Sequence, residues 1–102
     1  MIEIKIPKEI KVGGIDYEVK IDSQTDRELA DCSLNGSHSE LLRRIEVATT
    51  LNAQCLSKTF IHEFCHAVNN IYCDSHITEP DIDGISHGIH QILEQLGVRF
   101  VK

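Results

Sequence analysis

The chain has 102 residues, room for one domain and too few for two of ordinary size, so residues 1–102 are expected to form a single unit. Sixteen acidic against ten basic residues give a formal charge of −6, and from Ile61 onward only Arg99 and Lys102 oppose six acids. That balance argues against a nucleic-acid backbone or an anionic membrane surface as partner, and a 5% aromatic content without Trp leaves Ile, Leu and Val to fill the core.

Ile2, Ile4 and Ile6 alternate with charged residues, which predicts a half-buried strand edged by Pro7. Ile10 and Val12, then Gly13-Gly14, then Ile15, Tyr17, Val19 and Ile21 alternate again. Two glycines between alternating runs supply the positive φ of a tight turn, so an antiparallel hairpin is expected across residues 9–21. The polar stretch 22–32 has room for a short helix through 27–31. Asn35-Gly36 marks a turn entering a short strand within 34–39, and Ile45, Val47 and Thr49 predict another over 43–49.

A long helix is expected from Ser57 or Thr59, either of which can cap it, to about 71–72. It places Phe60, Phe64, Ala67, Val68 and Ile71 on one apolar arc. Thr78 can cap a last helix with Glu79, Pro80 and Asp81 in its first turn, where proline loses nothing and acids favour the positive end. Ile82, Ile85, Ile89, Ile92, Leu93 and Leu96 form its expected buried stripe and Gly97 its stop. Residues 98–101 are a tail or an added strand. Strands followed by helices make the fold class α+β.

No apolar run reaches the roughly 18–20 residues needed to span a bilayer, and the N-terminus shows no apolar signal region. A cytoplasmic location with reduced thiols is therefore expected. Cys32, Cys55, Cys65 and Cys73 contain no C-x-x-C pair that would form a zinc knuckle.

The chemistry concentrates in His62-Glu63-Phe64-Cys65-His66. Residues four apart on a helix lie one turn apart on one face, so His62 and His66 can both direct a ring nitrogen at one Zn²⁺. Glu63 is displaced around the axis, where its carboxylate reaches a metal-activated water rather than the metal. Three fixed residues also arise by chance, as surface histidines and a solvated acid. A catalytic zinc needs a third protein ligand, and Asp74, His76, Glu79, Asp81, Asp83, His87 and His90 are available downstream. On the last helix Glu79, Asp83 and His90 share a face, with His87 at its edge. Glu79 is thus suited to ligate and Asp83, one turn on, to support it or a ligand histidine.

His62-Glu63-Phe64-Cys65-His66-Ala67-Val68 followed by Glu79-Pro80-Asp81-Ile82-Asp83 resembles the H-E-x-x-H and E-x-x-x-D arrangement of gluzincins, the thermolysin-like zinc metallopeptidases, and in particular minimal stand-alone members from bacteria and phages. The resemblance spans roughly residues 13–96. It implies a small zincin-like domain, with a short antiparallel or mixed sheet packed on two active-site helices. It also implies zinc held by His62, His66 and Glu79, with Glu63 as general base and Asp83 hydrogen-bonded to a ligand histidine. Only 12 residues separate His66 from Glu79, fewer than in thermolysin, and no counterpart of that enzyme's large C-terminal domain, the source of its electrophilic histidine, is present. His38, Tyr72, His87 and His90 are the candidates for that role.

The expected activity is hydrolysis of peptide bonds in a peptide or protein substrate, with the 43–47 strand bordering the cleft and pairing with an extended chain. The competing expectation is a non-catalytic zinc-stabilised protein-binding module, its metal closed by a fourth ligand such as His76.

Overall fold

Gly13 and Gly14, at φ +60° and +78°, turn the chain between β2 (Glu9–Val12) and β3 (Ile15–Lys20), and Val12 pairs with Ile15 across the turn. This hairpin, in the computed structural model of residues 1–102, begins a four-stranded sheet. Asp22 then caps α1 (Ser23–Asp31), its carboxylate accepting from the Thr25 N–H at 2.8 Å, so the helix starts well before the expected 27–31. Asp26 of α1 accepts bonds from both the N–H and the hydroxyl of Thr49. That pair ties the helix to the end of β5 (Arg44–Val47).

Strand β4 (Gly36–Ser39) pairs antiparallel with β5, and β5 pairs parallel with β3, giving the order β2-β3-β5-β4. The expectation that the 43–47 strand borders the cleft is therefore corrected. β5 lies inside the sheet, with Ile45 and Val47 fully buried, and β4 is the edge strand. The alternating apolar residues of β2, β3 and β5 pack with Leu56, Phe60 and Ala67 in the main core.

Helix α2 runs from Ala53 to Cys73 and is capped by Asn52, whose side chain accepts from the Cys55 N–H at 2.8 Å. Its cap thus lies five residues before the expected Ser57 and seven before Thr59. Ser57 is instead buried, and its hydroxyl accepts from the Phe100 N–H at 3.0 Å. Phe100 belongs to β6 (Val98–Val101), which pairs parallel with β1 (Ile2–Lys5) as a separate two-stranded sheet. β1 is not half-buried as expected. Ile2 and Ile4 are exposed, and Ile6, just past its end, enters the core.

Helix α3 (Glu79–Gln95) has the expected start, with Thr78 at the cap position and Pro80 in the first turn. Its rotation differs from expectation. Ile82 is buried, yet Ile85, Ile89, Ile92 and Leu96 are 40–67% exposed, while Ser86 and His90 are buried. Ser86 and His90 are buried alongside Ile82, which packs on Ile61 and Cys65 of α2. Ser86 finds polar partners there, and Ile85 and Ile89 are left lining an open apolar groove with Ile4 and Phe64. Asn69 sets the approach of the two helices. Buried on α2, it donates from Nδ2 to the Ile77 carbonyl at 3.0 Å and accepts the Ile77 N–H at 3.1 Å. The amide completes both backbone groups of a residue in the connecting turn.

Candidate metal centre

Helix α2 carries the motif between the sheet and α3. His62 and His66, one turn apart, bring their Nε2 atoms to 3.2 Å of each other. The Glu79 carboxylate, at the N-terminus of α3, spans both: Oε1 is 3.1 Å from His62 Nε2 and Oε2 is 2.6 Å from His66 Nε2. Ligands about 2.1 Å from a tetrahedral zinc lie about 3.4 Å from one another, so these donor atoms are grouped closely enough to share one ion. Two ring nitrogens and a carboxylate also suit zinc chemically.

Glu63, the next residue around the helix, is 8% exposed. The metal-binding oxygens and nitrogens of His62, Glu63 and His66 all lie within 4.8 Å of one another. Burial, helped by the neighbouring Glu79 charge, pushes the Glu63 carboxyl up to about 7. The edge strand β4 presses on this residue. A Cβ added to Gly36 would stand 2.6 Å from Thr59 Cγ2, 3.0 Å from the Glu46 carbonyl and 3.2 Å from Glu63 Cγ, so only glycine lets the strand pass so close.

Around the histidines stand several further groups. Ser86 Oγ is 3.2 Å from His62 Nδ1, and Asp83 Oδ1 is 3.5 Å from the same atom. Asp83 Oδ2 is 3.5 Å from His87 Nδ1. On the sheet side, His38 of β4 stacks between Tyr17 and His66, with ring centroids 5.6 and 6.3 Å away, and its Nε2 is 3.1 Å from the Tyr17 hydroxyl. Burial lowers the His38 pKa, with the nearby His66 adding to the effect.

A cleft of about 410 Å³ opens over His62, Glu63, His66, Glu79 and Asp83, walled on the sheet side by Asn35, Gly36 and Ser37. Lys58 and Thr59 complete the wall one turn before the motif. None of His38, Tyr72, His76, His87 or His90 lines it. Tyr72 and His76 are exposed, and His90 is buried with its Nδ1 unpartnered. Ser86, Lys58 and Gly36 belong to the site without a signal in the sequence: Ser86 carries no pattern of its own, and Gly36 reads there only as part of a turn.

The cluster matches the H-E-x-x-H metal-binding motif and is consistent with a gluzincin-like, catalytic zinc site, set in a small α+β domain whose mixed sheet packs on two long helices. No protein-family model, curated protein or solved structure matches the chain. No helix is long and apolar enough to cross a membrane.

Proposed function

We propose that the protein is a zinc-dependent peptidase in which His62, His66 and Glu79 hold the metal and Glu63 is the general base. The observation that carries this reading is the placement of Glu79 across both histidines while Glu63 lies buried beside them. When bound, zinc supplies Lewis acidity to the scissile carbonyl and to the attacking water. Glu63, with its proton affinity raised by burial, takes a proton from that water and passes it to the leaving nitrogen. Lys58 is the one lysine or arginine lining the cleft, and its ammonium is available to the charge that develops on the carbonyl oxygen. The unpaired outer edge of β4 borders the cleft and offers N–H and C=O groups to an extended peptide.

His76, the residue suited to close a structural site as a fourth ligand, lies outside the cleft. This favours an enzyme over a zinc-stabilised binding module. Zinc-loaded protein should cleave members of a mixed peptide library, with products resolved by mass spectrometry. Complete inertness, alongside a control metallopeptidase that digests the same library, would reject the proposal. In the same assay Lys58→Ala should lower kcat by roughly 10²-fold with zinc content unchanged.

A further inference from the structure

Ser86 is 2% exposed and lies on α3, seven residues after Glu79. Its hydroxyl touches two groups: His62 Nδ1 at 3.2 Å and the backbone carbonyl of Asp83 at 3.0 Å. A carbonyl oxygen only accepts, so two oxygens 3.0 Å apart in a buried site need a hydrogen between them, and Ser86 holds the sole one available. That proton is therefore spent on Asp83. Toward His62 the hydroxyl has only lone pairs left, and the proton in that contact must sit on Nδ1.

Resting on the zinc reading above, we propose that Ser86 is a positioning residue that locks His62 in its Nδ1–H tautomer. The lock turns the bare Nε2 toward His66 and Glu79, as ligation requires. Asp83 is the weaker orienting group. Its carboxylate stands at 3.5 Å, is about half exposed, and is shared with His87.

Without a metal, Glu79 Oε1 at 3.1 Å from His62 Nε2 competes for the single ring proton. Long-range ¹H–¹⁵N imidazole spectra of metal-free, ¹⁵N-labelled Glu79→Ala protein, taken where His62 is neutral, therefore read the tautomer that Ser86 sets, without zinc or substrate. His62 should show the Nδ1–H pattern there, and adding Ser86→Ala should give a mixture of tautomers. Ser86→Ala alone should bind zinc about 10–100-fold more weakly than wild type, the usual cost of losing an outer partner of a ligand histidine. Ser86→Thr, which keeps the hydroxyl, should restore both.

An Nε2–H His62 in Glu79→Ala would overturn the proposal. So would Ser86→Ala with unchanged tautomer in that background and unchanged zinc affinity. Should Ser86→Ala fail to fold, the Glu79→Ala spectra with Ser86 intact and with Ser86→Thr decide. An Nδ1–H tautomer that responds to Ser86→Ala, in a protein that never binds zinc, would uphold the role of Ser86 and discard the metal reading.

Discussion

At the residue scale, one helical period places His62, Glu63 and His66, and that period can be read directly from the sequence. Not all of their partners can. Glu63 becomes a buried carboxyl only because β4 closes over it, and β4 can do so only because position 36 has no side chain. Gly36→Ala should therefore cost about 1–3 kcal/mol in denaturant unfolding and lower peptide hydrolysis, since the added methyl forces the strand away from the base. An unchanged midpoint and rate would mean that the strand has room to spare. Glycine and serine carry no periodicity, so Gly36 and Ser86 were silent in the sequence, whereas charged residues spaced along a helix announced Glu79 and Asp83.

Elements were legible where local chemistry decides them. Gly13-Gly14 turned as expected, and Thr78 with Pro80 marked the start of α3. Packing direction was not legible. The sequence shows that residues 79, 83 and 90 share one face and the isoleucines another, but not that Ser86 and His90 are buried beside Ile82 while Ile85, Ile89 and Ile92 stay exposed. Ile82→Ala should cost about 2–5 kcal/mol of stability, while Ile92→Ala, already half exposed, should cost well under half as much. Similar losses at both positions would restore the isoleucine stripe to the core.

The helix pairing itself depends on Asn69, whose replacement by Ala strands both backbone groups of Ile77. A loss of about 1–3 kcal/mol is expected by thermal unfolding, together with weaker zinc binding as Glu79 drifts from α2. Neither effect would appear if the connecting turn were held by other contacts. At α1, hydrogen bonds from Thr25 hold the Asp22 carboxyl below its ordinary 3.8. The capping contribution is thus full above that value and fades as pH falls through the lowered one. Asp22→Asn should flatten this acid limb of the stability curve.

Across the whole molecule, the metal would join what the two helices leave open. Ligands from α2 and α3 meet at a cleft, and a separate groove between the same helices leaves apolar side chains exposed. A ligand bound only by the folded state at a thousandfold excess over its Kd adds about 4 kcal/mol. Chelation should therefore lower Tm clearly, and readdition of zinc should restore it. A Tm indifferent to chelator would place no metal between the helices. The central claim is tested most directly by zinc content and peptide hydrolysis measured together, on untagged wild type, Glu63→Ala and Glu79→Ala. One equivalent of zinc is expected in wild type and Glu63→Ala, with hydrolysis only in the former, and strongly reduced zinc in Glu79→Ala. Full zinc retention by Glu79→Ala, or its loss from Glu63→Ala, would contradict the assigned roles.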